Sequence, residues 1–61
     1  MNNITKIREE LGISKSKLSL LTGLSLGYIC HLEKGTRTNP SYVTMKKVAT
    51  AFNKEISDIF I

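Results

Sequence analysis

Apolar residues recur along this chain at helical spacing, and glycines or polar breaks divide them into five groups. Ile4, Ile7 and Leu11, with Lys6, Arg8, Glu9 and Glu10 between them, predict an amphipathic helix from about Asn3 to Leu11, ended by Gly12. Ser14 suits the N-cap of a second helix over Lys15 to Thr22, because its hydroxyl can accept from an orphan amide of the first turn, and Gly23 closes that helix. Leu18 and Leu21 are its expected inward residues, which leaves Leu20 outside. Leu24 precedes a second capping serine, Ser25, and a third helix over Leu26 to Lys34 that ends at Gly35. Ile29 and Leu32, three apart, share its inward face, while Tyr28 and His31 lie on another. Gly27 lowers the propensity of this helix by about 1 kcal/mol relative to alanine, so the helix depends on tertiary packing.

Thr36 to Pro40 reads as a polar loop, since Asn39 precedes Pro40 and is pushed away from helical geometry. Ser41 then caps a fourth helix with an apolar stripe of Val43, Val48, Ala49 and Phe52, and Met45 beside it. Asn53 suits a left-handed helix end, and Ile56, Ile59 and Phe60 fit one short final helix. No stretch alternates with strand period, and there is no repeat or linker. The expectation is a single all-α domain of five short helices over residues 1–61.

Composition narrows the function. A chain of 61 residues buries only about 60% of the surface it exposes when unfolded, which leaves little room for a pocket with its own catalytic shell. One histidine, one cysteine and five acids form no recognisable group of nucleophile, base and orienting residue, so an enzyme is not expected. Nor is a metal or other cofactor, because the adjacent Cys30 and His31 point about 100° apart on a helix. The lone Cys30 rules out an intramolecular disulfide and fits a reducing cytoplasm. No apolar run approaches the roughly 20 residues that span a bilayer, and the opening Met-Asn-Asn-Ile lacks a signal-peptide pattern. A cytoplasmic protein without membrane attachment is expected.

Charge sharpens this further. The formal charge is +4, and between Leu11 and Lys54 the only acid is Glu33, against Lys15, Lys17, Lys34, Arg37, Lys46, Lys47 and Lys54. So basic a middle suits a polyanionic partner, or equally a solvated surface that keeps the protein soluble. The informative unit is Leu18, Gly23, Leu24, Ile29 and Leu32: two short helices joined by a tight turn with Gly23 in left-handed geometry and Leu24 as a buried plug. Periodicity leaves this unit open between a generic αα-hairpin and a helix-turn-helix.

The ordered run Leu18-Ser19-Leu20-Leu21-Thr22-Gly23-Leu24-Ser25, then Tyr28-Ile29, Leu32-Glu33-Lys34-Gly35 and Asn39-Pro40-Ser41, resembles the Cro/repressor-type, or Xre, helix-turn-helix family from about Ile4 to Phe60. The resemblance implies a compact five-helix lambda-repressor-like domain in which helices two and three, residues 15–34, read double-stranded DNA. It implies a sequence-specific transcriptional regulator, repressor-like, used as a homodimer on a two-fold operator. Carried over by position, it puts Lys15, Ser16 and Lys17 beside the DNA backbone. Relatives mostly have glutamine where Lys15 stands, so the charge is kept here and a bracing contact is put in doubt. Ser19 takes the small-residue position where the two helices touch.

The same resemblance makes Ser25, Leu26, Gly27, Tyr28 and His31 the base-reading positions of a helix lying in the major groove. This set is unusual: Leu26 can touch a thymine methyl and Gly27 lets backbone come close, leaving Tyr28 and His31 most of the polar contacts. Lys34, Thr36, Arg37 and Thr38 are implied phosphate contacts, which supply affinity and salt sensitivity but do not read sequence. Arg8 and Glu33 are implied to form a partly buried structural ion pair between helices one and three. Ile61, beyond the core stripe, is the expected dimer contact. The alternative is a protein-interaction module, such as an antitoxin or partner-binding relative, using an apolar patch of Leu20, Leu26 and Tyr28.

Overall fold

The computed structural model describes residues 2–35 and 40–60. They form five helices in the expected order: α1 (Ile4–Glu10), α2 (Lys15–Thr22), α3 (Leu26–Lys34), α4 (Tyr42–Phe52) and α5 (Ile56–Ile59). The punctuation anticipated from the serines is present, since the hydroxyls of Ser14, Ser25 and Ser41 accept from the amides of Lys17, Tyr28 and Thr44. Each satisfies one of the donors that a helix start leaves unpaired. Asn53, at φ 57° and ψ 45°, closes α4 in the left-handed conformation, with the Lys54 amide reaching back to the Ala49 carbonyl.

The core draws on all five helices: Ile4 and Ile7, Leu18, Ile29 and Leu32, Val48, Ala49 and Phe52, and Ile59. Three residues expected inside are out. Leu21 is 48% exposed and Thr22 takes the buried place, because at 100° per residue Thr22 lies about 40° from Leu18 and Leu21 about 60° away on the other side. Val43 lies about 140° around α4 from Val48 and is accordingly exposed. Leu11 also stands exposed just past the end of α1, where Gly12 at φ 70° turns the chain and Ile13, not Leu11, packs against the core. The Ile13 amide donates to the Arg8 carbonyl and that of Gly12 to Glu9, so the turn is a Schellman closure with its apolar residue at the following position.

Two polar features that periodicity does not reveal tie the helices together. The start of the chain is a strap: Asn2 Nδ2 donates to the Leu32 carbonyl at 2.7 Å, the Asn3 amide to the Ile59 carbonyl at 2.9 Å, and Asn2 and Phe60 form an isolated antiparallel bridge. The second is the turn between α2 and α3. Gly23 adopts φ 76°, Thr22 Oγ1 donates to the Leu18 carbonyl at 2.8 Å and accepts from the Leu24 amide at 3.2 Å, and Ser19 Oγ donates to the Leu24 carbonyl. Both peptide groups of Leu24 are thus held by hydroxyls from the end of α2.

Arg8 and Glu33 fix the other end of α3. Arg8 Nε lies 3.0 Å from Glu33 Oε2, and the side chains are only 12% and 7% exposed. Thr5 Oγ1 donates to Glu33 Oε1 at 2.8 Å, and Arg8 Nη1 donates to the Ile13 carbonyl at 3.0 Å. The charges are therefore paired and also hydrogen-bonded to neutral groups, the condition under which burial of an ion pair is tolerated.

Glu33→Ala leaves the guanidinium in place without its partner and is expected to cost about 3 kcal/mol, or roughly 12 °C or more in melting midpoint for a domain of this size. Arg8→Met/Glu33→Leu should recover much of that loss; a double variant as unstable as the single one contradicts this account. Thr22→Val, which keeps the shape and removes the hydroxyl's hydrogen bonds to the Leu18 and Ser19 carbonyls and the Leu24 amide, should lower stability by about 1–3 kcal/mol. Urea titration reads this as a lower midpoint at unchanged slope.

Candidate nucleic-acid interface

The N-terminal half of α3 projects from this scaffold. Ile29 and Leu32 anchor the helix in the core; Gly27 and His31 lie on its opposite side and Ser25 and Leu26 at its projecting start, all exposed. Ser25 spends one acceptor site on the Tyr28 amide, so its hydroxyl keeps donor capacity outward. Tyr28 is half-buried and packs against the core, so its ring is partly scaffold and only the remainder of the side chain belongs to the surface. Leu26 is 46% exposed.

Among the described residues, nothing in the fold accounts for Gly27. Its φ is not positive, and a Cβ placed on it meets nothing within 4 Å. A glycine inside a helix costs stability, and here that cost has no intramolecular return. The bare backbone instead lets an external surface come close to the first turn of α3.

Cationic and polar groups flank this helix. Ser16 and Lys17 are exposed and Lys15 half-exposed at the start of α2, and Lys34 is exposed at the end of α3. The first turns of α2, α3 and α4 contain no acid. Acids there would stabilise the helices, so their absence leaves the positive helix ends uncompensated and attractive to anions. Thr36, Arg37 and Thr38, the remaining phosphate-contact residues, and Ile61, the dimer contact, lie outside the described residues. Of the apolar patch, Leu20 is 81% exposed and Leu26 shares the surface, whereas Tyr28 is drawn inward.

The sequence reading missed residues that act through the scaffold: Thr22 and Ser19 as partners of the turn, Thr5 as a third member of the Arg8–Glu33 cluster, and Asn2 on the last turn of α3. Thr22 had a signal, since it sits one turn after Leu18 and just before a helix-ending glycine. Asn2 had none, because its partner is a carbonyl thirty residues away. Among the described residues, no helix is long and apolar enough to cross a membrane.

Comparison with known proteins agrees with this geometry. A family model described as "Helix-turn-helix" matches residues 4–59. The "HTH-type transcriptional regulator SlrR" of Bacillus subtilis (strain 168) is 34% identical over 53 residues, which cover 87% of this chain and 35% of that protein. The chain thus spans about a third of that relative's length. With the match running from the first turn of α1 to the end of α5, the chain belongs to the Xre-type helix-turn-helix family, a family of DNA-binding domains.

Proposed function

We propose that this chain is a sequence-specific DNA-binding regulator of transcription, acting in the cytoplasm by binding and not by catalysis, with α3 in the major groove of double-stranded DNA. The observation that carries the reading is Gly27: an exposed helix held from behind gives up stability at its first turn with no return inside the fold. Lys15, Ser16, Lys17 and Lys34, with Thr36, Arg37 and Thr38, contact phosphates and set register. Ser25, Leu26, Gly27, Tyr28 and His31 meet the bases, and the scarcity of hydrogen-bonding groups among them shifts part of the specificity to a thymine methyl and to DNA shape.

The domain's longest dimension is 25 Å, less than the roughly 34–36 Å between successive half-sites, so one copy covers one half-site. That limit supports the proposal of a homodimer on a two-fold operator, repressor-like by occupying DNA, with Ile61 at the contact. A second reading, docking of a protein partner, draws on Leu20, the most exposed large apolar residue among those described, and on Leu26.

Salt titration of binding to a labelled duplex separates the two, since phosphate-driven affinity falls steeply with salt and apolar docking hardly changes. For DNA binding, Lys17→Ala should weaken affinity for all sequences and reduce the salt slope by about 1. Gly27→Ala should raise thermal stability, by about 1 kcal/mol, while weakening binding to the preferred duplex. Unchanged DNA affinity in the more stable Gly27→Ala protein would remove the main support for this reading.

A further inference from the structure

A cleft of about 540 Å³ runs along the outer face of α4 against the end of α2, with Leu21 on one wall and Tyr42, Val43, Lys46, Lys47 and Ala51 along the other. The α4 residues recur as neighbouring pairs one helical turn apart, so the cleft follows the helix for more than two turns. Ala51 packs against the core, but most of the cleft's apolar lining is open: Leu21 is 48%, Tyr42 65% and Val43 61% exposed. None of the five base-reading residues lines it.

We infer that this cleft docks an acidic amphipathic helix of another protein. Charge fixes the partner's chemistry, because both charged residues of the lining are lysines and no acid accompanies them. The chain's acids line other clefts: Glu9, Glu10 and Glu33 one, Glu10 with Asp58 another, and Glu55, the residue before α5, a third that shares Lys46 from its other side. Within this cleft no carboxylate accompanies Lys46 or Lys47, and no ion pair among the described residues engages either, so a partner's carboxylates can meet both. Shape sets its form, since an apolar trough along a helix suits the apolar stripe of a second helix.

Other occupants fit less well. Two copies joined through this face about a two-fold axis would set the same lysine-bearing, acid-free surface of each against that of the other. A second copy offering α1 presents Glu9 and Glu10 but only Leu11 as an exposed large apolar residue. Phosphates would meet the lysines and leave Leu21, Val43 and Tyr42 uncovered, and a bilayer surface is too flat to enter the trough. None of the described residues proposed to meet bases or phosphates lines the cleft, so a partner seated there leaves the reading helix uncovered.

The test uses the full chain and two fluorescein-labelled synthetic helical peptides sharing a stripe of leucines, one with glutamates beside the stripe and one with lysines there. Anisotropy should show saturable binding of the acidic peptide and at least about tenfold weaker binding of the basic one. Val43→Asp should weaken acidic-peptide binding about tenfold or more. Lys46→Glu/Lys47→Glu should invert the preference between the peptides. Circular dichroism verifies that both variants, altered only at exposed positions, remain folded, and amide shifts on titration should concentrate on α2 and α4.

Equal binding of the two peptides, no binding of either, or no effect of the variants overturns the proposal. So does dimerisation of the unliganded chain that Val43→Asp abolishes in sedimentation, or binding to phosphatidylglycerol vesicles that the same variant abolishes. Loss of duplex-DNA affinity in Val43→Asp without any peptide binding would assign the face to DNA and equally overturn it.

Discussion

The peptide groups of Leu24 must be paired inside the α2–α3 turn before α3 can be held at a fixed angle. Gly23 provides the left-handed geometry, and the two hydroxyls in the last turn of α2 close the turn, Thr22 taking the Leu24 amide and Ser19 the Leu24 carbonyl. The Leu24 side chain can then pack against the core. At the far end of α3, the Arg8–Glu33 pair and the Asn2 amide on the Leu32 carbonyl hold the helix to α1 and the start of the chain. With polar locks at both ends and Ile29 and Leu32 buried between them, α3 is a rigid presenter and not merely another packed helix.

That rigidity gives the exposed side of α3 its meaning. A surface that reads DNA must hold its groups in place before contact, because ordering them on binding would subtract from affinity. Hydrogen-bonded and apolar contacts are concentrated behind the helix, while its start offers backbone at Gly27, the apolar Leu26 and the polar Ser25, with His31 one turn further along. Lysines at the beginning of α2 and the end of α3 surround this turn with positive charge. In the proposed DNA-binding role, such a distribution favours strong backbone attraction with modest base discrimination, and places the demand for specificity on a few contacts and on the deformability of the DNA.

Much of the fold was legible in the sequence because it is punctuated by residues with local roles. Serine caps, helix-ending glycines and Asn53 act within a few residues of their own position, so their positions gave the five helices nearly to the residue. Periodicity was less reliable where helices are short: the choice between a three- and a four-residue spacing from Leu18 is poorly determined in an eight-residue helix, and Leu21 and Thr22 exchanged places as a result. The Arg8–Glu33 partners were legible only through family resemblance, since nothing local links residues 25 apart in sequence. The strap at Asn2 and Asn3 was not legible, as its hydrogen bonds exist only once α3 and α5 have been brought together. At the candidate interface, position and exposure could be anticipated, but the partial burial of Tyr28 depends on tertiary packing that a three-residue spacing with His31 does not convey.

Selection of duplexes bound by the full chain from a random-sequence pool, at moderate salt, tests the central claim most directly. The account predicts enrichment of a short motif, repeated with two-fold symmetry at a spacing of about one helical turn, with its strongest positions opposite the first turn of α3. A pool that remains random while binding still falls with salt would contradict sequence-specific recognition and leave only non-specific attraction to phosphate.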